Sequence, residues 1–434
     1  MNSDSGVTRR DFLGGVLSIG AVGLTYNPFS CAAVSAAEMK SVRAIMHKVH
    51  QDMQKRVLPE LEKAGVQVRI STGPNLQVEE GFVREARVQP SGFDVGFQKP
   101  EWYDAARFRL LEPLDEWQRR DPIPDFDDLL PSLVSDGKFQ GVQYMIPVRT
   151  GGYVIHYRKD LFDEHKLRAP QTMEELGHAA RVLNAKAGVY GFTCYGRPEG
   201  QWQALHNLAA AYGGQLIDAK GDPVMDSKET VAALEWYAGL FRDKVISPDH
   251  PNMDVDGTNR LMTEGRTAMV MELGSRWVLY TDPNRSKVAR KLDWIALPPA
   301  EKMVGKKIGG YATSWSLVIP KNSANKEIAW RYIKHLSLAQ SQVTMAQDGN
   351  DPVRRSTWGS KEVLAKYSER GASSLVVATR TALERATSPW PIGTPQSSKI
   401  VEIIGDAVGK AMLGSATSQE AMKWAADQVR SLKG

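Results

Sequence analysis

Short apolar segments near the N-terminus, separated by a stretch with helical character, constrain the fold of this chain most strongly. Ser41–Met46 and Val66–Ile70 have the length and composition of buried strands, and residues 51–64 between them suit a helix. Phe93–Phe97 has the character of another buried strand. A strand, helix, strand order requires a crossover connection, which is typical of parallel sheets. The sequence therefore predicts an α/β fold with a parallel-type sheet.

The length and composition of the chain indicate two ordinary globular domains. At 434 residues it exceeds the size that one hydrophobic core normally supports. Its 42% hydrophobic and 24% charged residues are typical of soluble folded proteins. The formal charge of +5 is spread among 55 basic and 50 acidic residues without a basic stripe. We therefore expect no binding of nucleic acid.

The N-terminal 37 residues have the layout of a secretory signal. Arg9 and Arg10 precede Phe12 and a weakly apolar run that is too short to stay in the membrane as an anchor. Paired arginines in this position match the twin-arginine pattern, and small residues around Ala36 favour cleavage there. The competing interpretation is a retained helical anchor, which the four glycines of the run disfavour. We expect export of a soluble mature protein.

Cysteine and motif content exclude several classes of chemistry. Cys31 lies inside the leader, in a poor context for lipid attachment, so Cys194 remains alone and no intramolecular disulfide is expected. The sequence lacks a glycine-rich nucleotide motif, a Cys-x-x-Cys pair and a Gly-x-Ser-x-Gly elbow. His47 and His50 have helical spacing but no acidic or cysteine neighbour in sequence. We therefore expect no cofactor and no metal site, and the chain is not predicted to be an enzyme.

Tryptophan is abundant, with 11 copies, and several lie in loop-like contexts. The axial C–H groups of a sugar ring pack on an indole face, while the hydroxyls need fixed donors and acceptors. A cleft that combines aromatic, arginine and carboxylate side chains would suit such a ligand. The tryptophans in loop-like contexts are Trp102, Trp202, Trp277, Trp315, Trp358 and Trp390. The competing interpretation of each is packing in a core or between domains.

Sequence motifs spread over the chain resemble those of family 1 extracellular solute-binding proteins of ABC transporters, the family that includes the maltose-binding proteins. The resemblance begins at Tyr144–Val148 and continues through Gly151–Phe162 to the helix start Pro170–Glu175, with Arg158 where the family usually has Asn. It resumes at residues 265–277 and again at residues 319–333. The order of these segments matches that of the family over nearly the whole chain after the leader.

The resemblance implies the two-lobed type II periplasmic binding protein fold, with discontinuous lobes joined by a multi-strand hinge. By position of the motifs, lobe 1 comprises residues 38–149 and 278–336, and lobe 2 comprises residues 150–277 and 337–434. The crossings are expected near residues 149–153, 273–280 and 336–342. The implied function is capture of a sugar, sugar derivative or polyol by a periplasmic monomer that delivers it to inner-membrane ABC permease subunits.

The resemblance also implies ligand-binding residues. Trp277 follows the motif that precedes a stacking aromatic in the family, which makes it the first candidate. Gly310 and Tyr311 match a Gly-Gly-aromatic turn that borders the cleft. The other candidates come from the first crossing, the segment after strand-like residues 191–195, and arginines expected at the lining: Arg149, Tyr153, Glu199, Trp202, Arg276 and Arg354. For these residues the alternative is a hinge or rim role without ligand contact.

Two alternatives remain open from the sequence. The same fold could bind another ligand, such as an organic anion, a phosphonate, a ferric ion or a polyamine. The arginines in the proposed lining disfavour a cationic ligand and suit a hydroxyl-rich or anionic one, such as an acidic sugar. A secreted carbohydrate-active enzyme would need two carboxylates flanking one bond, and the sequence alone does not exclude that pairing.

Overall fold

The computed structural model describes residues 40–432, so the predicted signal segment with Arg9, Arg10 and Cys31 lies outside the described residues. The described chain alternates strands and helices. The strands are β1 (Lys40–His47), β2 (Val66–Gly73), β3 (Val95–Gln98), β4 (Lys138–Phe139), β5 (Val142–Gln143), β6 (Ile146–Arg158), β7 (Met269–Leu273), β8 (Leu292–Ala296) and β9 (Ala312–Val318).

The helices lie between and after these strands. In chain order they are α1 (Lys48–Gln54), α2 (Leu58–Lys63), α3 (Asn75–Glu85), α4 (Ala105–Phe108), α5 (Asp115–Arg120), α6 (Pro131–Asp136), α7 (Lys159–Glu164), α8 (Met173–Ala187), α9 (Pro198–Ala211), α10 (Lys228–Arg242), α11 (Val255–Thr263), α12 (Trp277–Tyr280), α13 (Lys326–Ser337), α14 (Ala339–Gln347), α15 (Lys361–Glu369), α16 (Ser373–Glu384), α17 (Ser397–Met412) and α18 (Ser418–Ser431). None of these helices is long and apolar enough to cross a membrane.

The main sheet is mixed. Its order is β2-β1-β3-β9-β6-β7, and β8 also pairs with β6. β1 pairs in parallel with β2 and β3, as the opening segments predict, while the pairs of β6 and β9 are antiparallel. The prediction of a parallel-type sheet thus holds for the first three strands only, because β9 and β6 meet across about 160 residues of chain whose course local patterns do not reveal.

Strand β6 joins the two halves of the molecule. All 13 of its residues are buried. Up to Gly152 it pairs with β9, and from Tyr153 onward it lies between β7 and β8. A Cβ on Gly152 would lie 2.8 Å from that of Ala382, so only glycine lets α16 approach this point so closely. The change of partner falls where the first crossing was expected.

The pairing of β8 differs from the expected lobe boundary. Residues 278–336 were placed in lobe 1, yet Leu292–Ala296 pairs with Val154–Arg158, on the half of β6 that also binds β7. The chain returns to the other half of β6 only at β9. After Trp277 the chain continues through α12 and β8 before it reaches β9, and the lobe boundaries stay a prediction.

Capping residues and a proline explain where several helices begin. The predicted single helix over residues 51–64 is two helices, and Pro59 lies in the first turn of the second, where its missing N–H causes no loss. Thr417 and Glu420 form a reciprocal capping box at the start of α18. The Thr172 hydroxyl accepts the Glu175 N–H and caps α8, whereas the Glu175 carboxylate accepts from the Gln171 N–H and not from that of Thr172.

Candidate functional site

A cleft of about 730 Å³ lies beside the point where β6 changes partners. Its walls come from the end of β1, the middle of β6, the end of β7 and the first half of β9, and from α3, α9, α11 and α17, so both halves of the sheet contribute. The lining mixes aromatic, basic and acidic side chains. Its principal polar and aromatic members are His47, Glu79, Lys99, Trp102, Arg149, Tyr153, Tyr195, Glu199, Gln203, Glu272, Arg276, Trp315 and Glu402.

Arg149 is the most buried cation of the cleft, with 5% of its surface exposed. Its Nη1 lies 3.3 Å from Nδ1 of His50, and its Nη2 donates to Oγ of Ser275 at 3.4 Å. Its Nε has no partner. The Ser275 backbone N–H donates to Oδ2 of Asp351 at 3.1 Å, which places that carboxylate behind Ser275. Burial, with Arg276 nearby, lowers the pKa of Arg149 to about 10.

Arg276 and Tyr153 are oriented by neighbours on the same wall. Nε of Arg276 lies 3.5 Å from Oε1 of Glu272, four residues earlier in the chain and near the end of β7. The same carboxylate oxygen accepts the Leu273 backbone N–H at 2.8 Å, which fixes its position. The Tyr153 hydroxyl donates to Oε1 of Gln203 at 2.7 Å. On this wall the guanidinium of Arg276 is paired with the Glu272 carboxylate, whereas that of Arg149 contacts no carboxylate.

Aromatic rings and a lysine lie next to Arg149, whose direct partner across the β6–β9 pair is Trp315. Nζ of Lys99 lies 4.4 Å from the ring centroid of Trp315, a cation–π contact. His50 approaches the same indole with ring centroids 4.5 Å apart. Nε1 of Trp102 is buried and has no partner. Burial raises the pKa of Glu79 to about 7, so this carboxyl is partly protonated near neutrality.

The structure brings together four of the predicted site residues. Arg149, Tyr153, Glu199 and Arg276 all line the cleft. Glu199 is exposed at the rim, where its carboxylate accepts from the Tyr195 hydroxyl at 3.1 Å. Whether these side chains contact a ligand stays a prediction.

Trp277, the first candidate, lies in a core instead of on the cleft. It has no exposed surface, and its ring centroid lies 4.4 Å from that of Tyr367. It belongs to an apolar cluster with residues of α15 and α16. The expectation of a stacking residue at this position is corrected, because α12 begins at Trp277 and turns the indole inward.

Trp202 and Tyr311 form an aromatic partition between the cleft and a second cavity. Trp202 is fully buried, with its ring centroid 6.3 Å from that of Trp102 and 5.0 Å from that of Trp390. Tyr311 donates its hydroxyl to Oε1 of Glu101 at 2.6 Å. Neither residue lines the cleft, so the predicted ligand contacts of both are corrected to a supporting position. Gly310 lies at a small gap behind Tyr153.

Arg354 is also absent from the cleft. Its side chain is 1% exposed and is surrounded by backbone carbonyl groups. Nε donates to Ser337 O at 2.7 Å, Nη1 to Asp125 O at 2.8 Å and Nη2 to Pro124 O at 2.6 Å. The predicted ligand role is corrected to a structural one, because the guanidinium ties the 124–128 loop to the end of α13.

The cleft also contains residues that were not among the predicted site residues. Lys99, Glu272 and Gln203 line it, as do Trp102 and Trp315 from the loop-like tryptophans. Lys99 and Glu272 lie near the ends of buried strands, and a charged residue in that position could have been predicted from the sequence as a site candidate. The second cavity, of about 870 Å³, is lined by His206, Arg385 and Trp390 among others. Among residues 40–432, no group of three or more potential ligands is arranged to hold a metal.

Comparison with known proteins places the chain in a family. The family model described as bacterial extracellular solute-binding protein matches residues 48–343, more than half of the chain. The chain belongs to this family. A mannitol-binding protein of Pseudomonas aeruginosa is 32% identical over 211 residues, which span 47% of this chain and 47% of that protein. The matched segment is thus about half the length of that relative.

Solved structures of family relatives share the fold. The maltose-bound MalE3 protein of T. maritima superposes with a TM-score of 0.78 at 21% identity, covering 90% of this chain and 99% of that one. A ribitol-bound ABC transporter solute-binding protein of Agrobacterium radiobacter superposes with a TM-score of 0.77 at 24% identity, covering 91% of this chain and 99% of that one. The chain therefore has the two-lobed α/β binding protein fold.

Proposed function

We propose that this protein is the periplasmic ligand-capturing component of an ABC importer and binds a sugar or polyol in the cleft. The observation that carries the proposal is the set of buried donors on the cleft walls that lack protein partners. Nε of Arg149 and Nε1 of Trp102 are both of this kind. Buried donors without partners are unfavourable, and the hydroxyl groups of a polyol satisfy them.

Carboxylates and aromatic rings complete the lining for such a ligand. Glu272, Glu79 and Gln203 supply acceptors for hydroxyl protons, while Trp102 and Tyr195 supply apolar surface for C–H groups. The relatives named as binding mannitol, ribitol and maltose support this ligand class. The protein acts as a monomer and delivers its ligand, chemically unchanged, to inner-membrane permease subunits.

The lobes follow the two halves of β6. Residues 40–152 together with β9 and α13 form one lobe, and the part of β6 from Tyr153 onward, with β7, β8, α17 and α18, forms the other. The second crossing then lies between β8 and β9, near residues 297–311. A ligand that contacts both lobes shifts the equilibrium toward closure by its differential affinity for the closed form.

The mature protein should melt at a higher temperature in the presence of its ligand. A panel of mannitol, ribitol and maltose, with spermidine as the cationic control, is titrated at concentrations up to the millimolar range. Ligand at about 100 times its Kd contributes ~2.7 kcal/mol of stability. At least one hydroxyl-rich compound should raise the melting temperature and be recovered intact by mass spectrometry. Stabilisation by spermidine alone, or turnover of the bound compound, would contradict the proposal.

The N-terminal segment directs export through the twin-arginine route and is cleaved near Ala36. The support is the Arg9-Arg10 pair before Phe12 and the short apolar run that follows. Replacing both arginines by lysine keeps the charge and should retain the precursor in the cytoplasm. Cell fractionation and immunoblotting measure this, with an Asp4→Asn precursor as the matched control. Export of the double-lysine precursor at the wild-type rate would rule out the twin-arginine route.

A further inference from the structure

The cleft contains two buried cations that no carboxylate contacts. Arg149 is 5% exposed and Lys99 is 9% exposed. Arg149 touches only neutral groups, the His50 ring and the Ser275 hydroxyl, and Lys99 lies over the Trp315 ring. Among residues 40–432, neither cation has a carboxylate oxygen within ion-pairing distance. A buried charge without a counter-charge is among the more costly features of a protein interior.

Three carboxylates around the cleft contact other groups and not Arg149 or Lys99. Glu272 pairs with Arg276 and accepts the Leu273 N–H, so it balances that guanidinium and not Arg149. Glu402 is exposed at the rim and pairs with Lys399. Glu199, also at the rim, accepts from Tyr195.

Three further acids near the two cations are buried, and burial raises the pKa of each. The pKa is about 7 for Glu79 and for Asp351, and the carboxylate of Glu101 accepts the Tyr311 hydroxyl. Asp351 accepts the Ser275 N–H and lies behind that residue, outside the cleft lining. Glu79 lines the cleft but makes no ion pair with Lys99. Asp351 therefore acts on Arg149 only from behind Ser275, and no carboxylate of the cleft lining pairs with Arg149 or Lys99.

We propose that the cleft selects a carboxylated sugar or polyol, with the ligand carboxylate held by Arg149, which no carboxylate of the lining contacts. This inference rests on the proposed function and specifies its ligand class. A carboxylate can accept two parallel hydrogen bonds from a guanidinium. It would also supply the negative charge that Arg149 lacks among its protein contacts. A singly charged group fits better than a dianionic phosphate, because Glu272 and Glu79 face the same space. The remaining acceptors and rings serve the hydroxylated chain of the ligand.

Matched pairs of neutral and acidic ligands test the selection directly. Calorimetric titration of the mature protein compares mannitol with mannonate, ribitol with ribonate, and maltose with maltobionate. In the pair that binds, the acid should bind about tenfold to hundredfold more tightly, the range expected for a hydrogen-bonded charge. A neutral member that binds as tightly as its acid would overturn the inference and leave the proposed function intact. If no member of any pair binds, both fail.

Arg149→Gln separates a ligand role from a structural one. The variant should lose about tenfold to hundredfold affinity for the acid and a clearly smaller factor for the neutral partner, because the neutral partner loses a hydrogen bond but no ion pair. Because it removes an uncompensated buried charge, it should also melt at a higher temperature than the wild type when unliganded. Arg331→Gln, an exposed arginine paired with Glu327, is the matched control and should change neither affinity. Equal losses for both ligands, or a lower melting temperature with unchanged affinity, would overturn the inference.

Discussion

Trp277→Ala is expected to destabilise the protein severely while leaving ligand affinity nearly unchanged. The indole has no exposed surface and packs on Tyr367 within an apolar cluster. Truncating a buried tryptophan to alanine typically costs 3–5 kcal/mol, about a third or more of the stability of a common domain. Chemical denaturation measures the loss, and calorimetry with a ligand found in the panel measures affinity below the melting temperature.

Trp102→Ala is the matched variant for this test and should show the reverse pattern. Trp102 lines the cleft and is only partly buried, so its loss should reduce affinity about tenfold or more and stability by less. If Trp277→Ala kept wild-type stability but bound ligand more weakly, Trp277 would be a ligand contact, which would contradict its packing in the core.

Arg354→Met should lower the free energy of unfolding by about 3 kcal/mol. The guanidinium is 1% exposed and satisfies carbonyl groups of Pro124, Asp125 and Ser337, which methionine would leave buried without donors. Its contact with Asp128, at 3.4 Å, adds less because that carboxylate is partly exposed.

The neighbouring Arg355 provides the control for this prediction. It is exposed and donates to the Asp127 carbonyl, so Arg355→Met should cost less than about 1 kcal/mol. Urea denaturation of both variants compares the two losses. Equal effects would contradict the structural role of Arg354, as would a fall in ligand affinity without a loss of stability.

Local sequence signals predicted much of the fold because they act over short distances. The opening strands and the helix start at Pro170–Glu175 follow from periodicity and motif order. The antiparallel partners of β6 were not predictable, since strands distant in sequence pair through the packing of whole lobes. The break between α1 and α2 could have been predicted from Pro59, because proline is favoured at a helix start and disfavoured in a helix interior.

The site was only partly predictable, for a similar reason. Position along the first crossing favoured Arg149 and Tyr153, and the motif over residues 265–277 favoured Arg276; all three line the cleft. Sequence could not show which way a side chain turns, so Trp277 and Arg354 were assigned to the cleft although they face inward. A large aromatic residue beside a motif is equally suited to a core and to a ligand, and only the packing of α15 and α16 decides between them.

A crystal structure of the protein with its tightest ligand from the panel would show where the ligand binds. We expect density for the ligand in the cleft, with ligand oxygens within hydrogen-bonding distance of Arg149 and Arg276 and carbon atoms against Trp102. Ligand density in the second cavity, beside His206 and Trp390, with the Arg149 cleft filled only by water, would contradict this expectation.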